Sequence, residues 1–200
     1  MTDATGFVTA GGRSSRMGKD KAWLELGGQS MIERVIAALT PVTAGVSIIA
    51  NGPEYARLGL PIFADTQKGV GPLEAIRTAL ANAHLPRTVL VGCDLPFVTP
   101  ELFKFLLNIR GEHQIVVPVG PDGKLETLCA IYCMKALPIV SDLIASGERK
   151  VSLLFDLAAT RFVDFDELRH LTASQLFFEN VNTQADYERA IETVLKLGKA

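Results

Sequence analysis

The sequence lacks the features that mark membrane-spanning and secreted proteins. It has no uninterrupted apolar run approaching the length that spans a bilayer, and Met1-Thr2-Asp3 does not begin a signal peptide. There are only three cysteines, an odd number set within apolar runs, which favours reduced core thiols over disulfides. We therefore expect a cytoplasmic protein that does not bind a membrane.

Patterns typical of zinc sites and of nucleic-acid binding are also missing. Cys129 and Cys133 stand four positions apart, unlike C-x-x-C, and no histidine pairs with them at zinc-ligand spacing. A net charge of −2 and a pI near 5.9 argue against a nucleic-acid partner. The 200 residues, 48% of them hydrophobic, contain no repeat or linker, so residues 1–200 are expected to form a single domain.

Short apolar runs alternate with amphipathic stretches along the chain. The runs predict strands at 7–10, 46–50, 60–63, 88–91, 115–119, 128–134 and 162–165. The amphipathic stretches predict helices at 31–39, 73–83, from 100 onward, at 138–145, up to 158, and at 185–197. This alternation predicts an α/β fold, a single-domain Rossmann-like three-layer sandwich whose mainly parallel sheet carries helices on both faces.

Capping residues predict where several of these helices begin. Ser30 and Glu33 have the spacing of a capping box. Thr99 precedes Pro100, which suits the first helical position, and Thr183 is a candidate N-cap of the last helix.

The stretch 7–28 is the most informative part of the sequence. The paired glycines Gly11-Gly12 follow the first predicted strand directly, and four cations lie between Arg13 and Lys21. Consecutive amides in a glycine turn form an anion-binding concavity, and cations add long-range attraction. We interpret the stretch as a polyphosphate-binding loop, while a solvated basic loop between strand and helix stays open as the alternative.

Two common phosphate-binding motifs do not fit this loop. A Walker loop has four residues between its glycine and the Gly-Lys pair, whereas five separate Gly12 from Gly18, and Asp20 follows Lys19 where Ser or Thr would hold magnesium. The G-x-G-x-x-G spacing of dinucleotide-binding folds does not occur here either. A Walker-type kinase is therefore disfavoured.

Polar residues follow the ends of the predicted parallel strands. Ligands of such sheets bind beyond the carboxyl ends of the strands, so residues placed there should converge. They are Gly11, Gly12, Asn51, Asp65 and Asp94.

Asp94 is a candidate magnesium ligand. It follows the apolar run 89–91 and precedes Leu95-Pro96. Magnesium in proteins binds one or two carboxylates together with substrate phosphate oxygens, but an aspartate in this context is also an ordinary turn residue. The phosphate-binding loop favours the metal-binding interpretation.

Several motifs, in order, resemble those of the molybdenum cofactor guanylyltransferases, and the resemblance extends from Phe7 to Tyr187. The segment 9–21, T-A-G-G-R-S-S-R-M-G-K-D-K, is similar to their nucleotide-binding loop, with Thr9 where the family usually has leucine. G-C-D-L-P-F at 92–97 resembles their magnesium motif, G-x-G-P-L at 69–73 their G-P-L turn, and F-x-N-V-N-T-x-x-D-Y at 178–187 their C-terminal motif. The segment 125–128 resembles their substrate-side segment, with Thr127 where proline is common.

The resemblance implies a nucleotide-diphospho-sugar transferase type of fold and a set of functional residues. Lys21, Arg16 and Asp94 would be catalytic, and Asp94 would bind Mg²⁺. Asn51 and Asp65 would contact the guanosine, and Asn180 and Asn182 the pterin substrate. The full set of implied binding residues is Thr9, Ala10, Gly11, Gly12, Lys21, Asn51, Asp65, Asp94, Asn180 and Asn182.

The implied reaction transfers GMP from GTP to the terminal phosphate of the molybdenum-molybdopterin cofactor and releases pyrophosphate. The lability of such a cofactor favours transient contact with cofactor-delivery proteins or acceptor molybdoenzymes. Two alternatives stay open, a cytidylyltransferase of the same superfamily and a non-catalytic GTP-binding protein. Cytidylyltransferases tend to have alanine where Gly11 stands, which suggests the hypothesis that the smaller Gly11 leaves room for a purine.

Overall fold

The computed structural model describes residues 3–11, 20–65, 67, 69–109 and 111–198. The strands in these residues are β1 (Ala4–Thr9), β2 (Glu25–Leu26), β3 (Gln29–Ser30), β4 (Val46–Ile49), β5 (Ile62–Phe63), β6 (Arg87–Gly92), β7 (Ile115–Pro118), β8 (Cys129–Cys133) and β9 (Thr160–Val163). The α-helices are α1 (Met31–Leu39), α2 (Pro72–Asn82), α3 (Pro100–Asn108), α4 (Leu137–Ala145), α5 (Val151–Leu157), α6 (Phe165–Leu168) and α7 (Gln184–Leu197). Short 3-10 helices lie at Lys21–Trp23, Pro53–Leu58, Met134–Ala136 and Ser174–Leu176.

Seven strands form one sheet in the order β5-β4-β1-β6-β8-β7-β9. β8 runs antiparallel to both of its neighbours, and every other pairing in this sheet is parallel. The predicted mainly parallel α/β sheet is therefore confirmed. β2 and β3 form a separate small hairpin.

The two faces of the sheet are covered by different helices, as a three-layer sandwich requires. Neighbouring strand residues point to opposite faces, so Val89 and Val91 of β6 join one apolar cluster while Leu90 joins the other. The first cluster includes buried residues of α1 and α3, and the second includes buried residues of α2, α4 and α5. A third and smaller cluster packs the β2–β3 region against α7.

The predicted helix starts agree with the structure. Ser30 and Glu33 form the capping box of α1, the Thr99 hydroxyl accepts from the Leu102 amide at the start of α3, and Thr183 caps α7. Each of these bonds satisfies an amide that has no partner within its own helix.

One local prediction needs correction, and one element was not predicted. The strand predicted at 162–165 ends at Val163, because Asp164 accepts from the Glu167 amide and begins α6 as its N-cap. The β2–β3 hairpin was not predicted. Its turn is formed by Gly27 and Gly28, which adopt the positive φ angles, 62° and 83°, that a tight two-residue hairpin turn needs.

The three cysteines are free thiols in the structure. Cys93 and Cys129 are buried free thiols, and Cys133 is a partly buried one. Across the described part of the chain, no helix combines the length and apolar character needed to cross a bilayer.

Candidate active site

Four parallel strands end in alignment at one edge of the sheet. Thr9 of β1 pairs with Ile49 of β4 and with Gly92 of β6, and Ile49 pairs with Phe63 of β5. The residues two positions beyond these four strand ends are Gly11, Asn51, Asp65 and Asp94. Because their strands end in register, the four residues lie together at the carboxyl ends of the strands, as the sequence predicted.

The loop after β1 begins with a firmly held backbone. The Ala10 amide donates to the Ile49 carbonyl at 2.9 Å, and the Thr9 carbonyl accepts from the Cys93 amide at 2.9 Å. Gly11 then turns into the left-handed region with a φ of 89°. Gly12 and Arg16 lie outside the described residues, so their phosphate-binding roles stay predictions.

The conformation of Gly11 bears on the hypothesis that this glycine makes room for a purine. A Cβ atom at position 11 would meet the Tyr55 hydroxyl at 3.9 Å, an ordinary contact, but side chains rarely adopt its φ. The backbone conformation thus favours glycine here independently of the nucleotide that is bound.

Lys21 connects two segments that are far apart in sequence. Its ammonium donates to Asp94 Oδ2 at 2.8 Å and to Asn182 Oδ1 at 2.8 Å. Lys21 is the first residue of a 3-10 helix whose next residue, Ala22, is fully buried. This buried neighbour anchors Lys21 to the core, and Lys21 and Asp94, both predicted to be catalytic, are in direct contact, while their catalytic roles stay predictions.

Asp94 sits just beyond β6 in a tightly packed turn. The Leu95 amide donates to the Gly92 carbonyl, and the Asp94 carbonyl accepts from the Val181 amide at 2.9 Å. A Cβ atom on residue 92 would overlap Asp94 Oδ1, so a glycine at that position leaves space for the carboxylate. The Asp94 side chain keeps 22% of its surface exposed, which leaves it accessible to a ligand.

The donor set at this edge fits a magnesium ion that is held together with a nucleotide. The described residues contain no group of three or more His, Cys, Asp or Glu side chains arranged to hold a metal. Magnesium, however, is commonly bound through one or two carboxylates plus substrate phosphate oxygens and water. Asp94 offers one such carboxylate, beside the ammonium of Lys21.

The segment before α7 lies against the Asp94 turn. Val181 is buried, which places Asn180 and Asn182 on either side of it as exposed residues. The Asn182 amide donates to Asp186 Oδ2 at 3.0 Å, so the N-terminal cap of α7 fixes the backbone of this segment. The structure brings Asn182 to Lys21, whereas contacts of either asparagine with a pterin stay a prediction.

Glu126 joins this site, although it was not among the predicted site residues. Because β8 is antiparallel, the segment before it reaches the edge where β6 ends, and the Gly92 amide donates to the Leu128 carbonyl at 2.8 Å. Burial, together with the negative charges of Asp122 and Asp94, raises the pKa of the Glu126 carboxyl to about 7. Its place in the segment 125–128, which resembles the family's substrate-side segment, was the available sequence signal.

Asp65 and Asn51 occupy the other end of the site. The Thr78 hydroxyl donates to Asp65 Oδ1 at 3.1 Å, and burial raises the pKa of the Asp65 carboxyl. Asn51 is exposed, and its position at the end of β4 leaves its side chain accessible. Their guanosine contacts stay predictions.

A buried carboxylate supports the loop that follows Asp65. The Glu74 side chain, 1% exposed, accepts from the Gln67 amide at 3.0 Å and from the Arg77 guanidinium at 2.6 and 2.9 Å. Glu74 therefore ties the loop between β5 and α2 to the first turns of α2.

Comparisons with known proteins agree with this geometry. Residues 6–160 match the family described as MobA-like NTP transferase domain. A protein of Carboxydothermus hydrogenoformans named "Probable molybdenum cofactor guanylyltransferase" is 34% identical over 96% of this chain and 97% of its own length. One of Pelotomaculum thermopropionicum with the same name is 36% identical over 95% of this chain and 93% of its own.

A solved structure shows the same architecture. Molybdopterin-guanine dinucleotide biosynthesis protein A of Archaeoglobus fulgidus superposes with a TM-score of 0.81 at 26% identity, covering 96% of this chain and 99% of that one. The sheet architecture described above is therefore shared with a solved member of a known group of enzymes. The chain belongs to the MobA-like NTP transferase family and is a nucleotidyltransferase.

Proposed function

We propose that this enzyme transfers GMP from GTP to the terminal phosphate of molybdenum-molybdopterin, releasing pyrophosphate. The names of its relatives support the substrates. The observation that carries the proposal is the contact of Lys21 with both Asp94 and Asn182, because it joins the nucleotide loop to the segment that the resemblance assigns to the pterin.

The reaction needs no nucleophilic side chain. An oxygen of the acceptor phosphate attacks the α-phosphorus of GTP and forms the new P–O bond, while the bond from the α-phosphorus to the bridging oxygen breaks and pyrophosphate leaves with the electron pair. The attacking group is already an anion, so catalysis rests on alignment and on compensation of the negative charge.

The chain's own residues supply that alignment and charge. Lys21 faces the site from the loop side, and its ammonium neutralises charge that develops on the departing pyrophosphate. Asp94 would hold magnesium, which when bound supplies Lewis-acid stabilisation of the phosphate oxygens. Asn182 orients the Lys21 ammonium from the acceptor side, and the exposed Asn180 and Asn182 present amides for the acceptor.

The test is magnesium-dependent pyrophosphate release, measured with molybdopterin or its molybdenum form and with GTP or CTP in parallel. We expect release with GTP but not with CTP, and only when the pterin is present. The Asp94→Asn variant keeps the shape of the side chain but removes its charge, and it should abolish release. That loss would show that the activity belongs to this site. Release with CTP would assign the enzyme to the cytidylyltransferases. No release with either nucleotide would contradict the proposal that the pterin phosphate is the acceptor.

A further inference from the structure

Tyr55 lies close to Gly11 and Asp20, the described residues on either side of the predicted phosphate-binding loop. It belongs to the 3-10 helix Pro53–Leu58 that follows β4, and its side chain is only 1% exposed. Its hydroxyl donates to Asp20 Oδ2, the residue directly before Lys21. Burial and the Asp20 carboxylate raise the pKa of this hydroxyl, so it stays a protonated donor at neutral pH.

Asp20 in turn begins the short helix that carries Lys21. Its other carboxylate oxygen, Oδ1, accepts from the Ala22 amide at 3.0 Å, and its carbonyl accepts from the Trp23 amide at 3.2 Å. The two carboxylate oxygens therefore have different partners: one holds the helix start and the other holds Tyr55. A hydrogen bond from a buried residue thus anchors the backbone that presents the lysine.

Aromatic packing reinforces the same anchor. The rings of Trp23 and Tyr55 lie 5.4 Å apart, and the Arg57 guanidinium covers Trp23 at 3.3 Å from the ring centroid. Both Tyr55 and Arg57 come from the 3-10 helix after β4, so two of its residues hold the Lys21–Trp23 helix. This arrangement restrains backbone and ring positions on either side of Lys21.

We propose that Tyr55 is a positioning residue that holds Lys21 in line with Asp94 through Asp20. The inference rests on the proposed function, since it assigns Lys21 to the phosphates of the reaction. A lysine side chain has a long flexible stem, so the place of its ammonium depends on how firmly its backbone is held. Tyr55 acts on the ammonium through its hydrogen bond to Asp20 and through the start of the helix.

A double-mutant cycle of Tyr55→Phe and Lys21→Met tests the proposal. Phenylalanine keeps the ring that packs on Trp23 and removes only the hydroxyl. Turnover and the affinities for Mg-GTP and for Mg-pyrophosphate are measured for the four proteins, the affinities by calorimetry. We expect Tyr55→Phe to lower kcat/KM roughly tenfold when Lys21 is present. In the Lys21→Met background the same change should alter the rate less than about twofold.

A second variant approaches the same path from its other end. Asp20→Ala removes the acceptor of the Tyr55 hydroxyl and should also lose its effect in the Lys21→Met background. Trp23 is the single tryptophan of the chain, so its emission spectrum reports whether the ring stack persists in each variant. If Tyr55→Phe does not fold, the Asp20→Ala cycle decides the question.

The outcomes separate this inference from the proposed function. Equal losses from Tyr55→Phe with and without Lys21 would overturn it, because a merely structural role acts in both backgrounds. If the wild-type protein binds Mg-pyrophosphate but transfers no GMP, the proposed function fails. The double-mutant cycle, measured on the affinity for Mg-pyrophosphate, then still decides the role of Tyr55. Failure to bind either polyphosphate would contradict both.

Discussion

The ammonium of Lys21 lies 2.8 Å from a carboxylate oxygen of Asp94, although 73 positions separate the two residues in the chain. Both side chains are mostly buried, with 18% and 22% of their surfaces exposed. The pair lies beyond the carboxyl ends of parallel strands, where ligands of such sheets bind, and it joins the residues proposed to act on the phosphates and the metal ion.

Replacement of Lys21 by methionine should lower kcat by roughly 100-fold, because the cation that offsets charge on the leaving pyrophosphate is removed. Methionine keeps a similar length and apolar stem. Steady-state pyrophosphate release measures the effect. Lys104→Met, at an exposed position of α3, is the matched control and should retain full activity. A Lys21→Met enzyme with near-normal kcat would remove this lysine from the mechanism.

Gly11→Ala should destabilise the protein by about 1–2 kcal/mol, because alanine is strained at a φ of 89°. The change should weaken binding of GTP and of CTP alike, since it distorts the turn that leads into the loop. Urea unfolding and nucleotide titration measure the two effects. Gly45→Ala is the control, because a Cβ atom there meets open space and the backbone is outside the left-handed region. A selective loss of GTP binding would instead support the purine hypothesis.

Glu74→Ala should lower the free energy of unfolding by about 3 kcal/mol. The change removes a buried carboxylate that accepts from the Arg77 guanidinium and from the Gln67 backbone amide. Chemical denaturation measures the loss, and Glu192→Ala on the exposed surface of α7 should change stability by less than about 0.5 kcal/mol. Equal stabilities of the two variants would show that Glu74 does not support the loop.

Glu126 should make stability depend on pH. Its pKa is raised from 4.5 to about 7 in the folded protein, so between these values the folded state holds a proton that the unfolded state has lost. The associated stabilisation is complete below the lower pKa and is lost as the pH rises through about 7. The Glu126→Gln variant lacks this titration, and its stability relative to the wild type should therefore increase from pH 5 to pH 8.

Urea unfolding of both proteins across that range measures the trend. Glu112→Gln, at an exposed site, is the comparison variant. A constant difference between Glu126→Gln and the wild type at all pH values would mean that the carboxyl is not protonated in the folded protein.

The sheet and the strand-end residues could be predicted because they depend on local patterns. Apolar runs alternate with amphipathic stretches, and parallel strands align their carboxyl ends, so Asn51, Asp65 and Asp94 were expected at one edge before any contact was known. The start of α6 was missed because Phe162 to Phe165 alternates like a strand, and only the cap formed by Asp164 and Glu167 reveals the helix.

The contacts that unite the site could not be derived from such patterns. Lys21 and Asn182 are 161 positions apart, and their hydrogen bond depends on how the end of the chain folds back over the Asp94 turn. The raised pKa of Glu126 likewise depends on burial and on carboxylates brought in from elsewhere. Such long-range effects follow from packing, whereas the resemblance to a family could indicate only which residues to examine.

Because β8 runs in the reverse direction, the two halves of the chain contribute to the site in different ways. The strands before Asp94 contribute the loops that follow them to the site, whereas β8 contributes the loop that precedes it. The residues predicted to face the nucleotide therefore come mainly from the first half of the chain, and the second half contributes the segment around Glu126 and the approach to α7. Under the proposed function, the segments assigned to the acceptor could therefore be exchanged, in evolution or in the laboratory, without changing the loops assigned to the nucleotide.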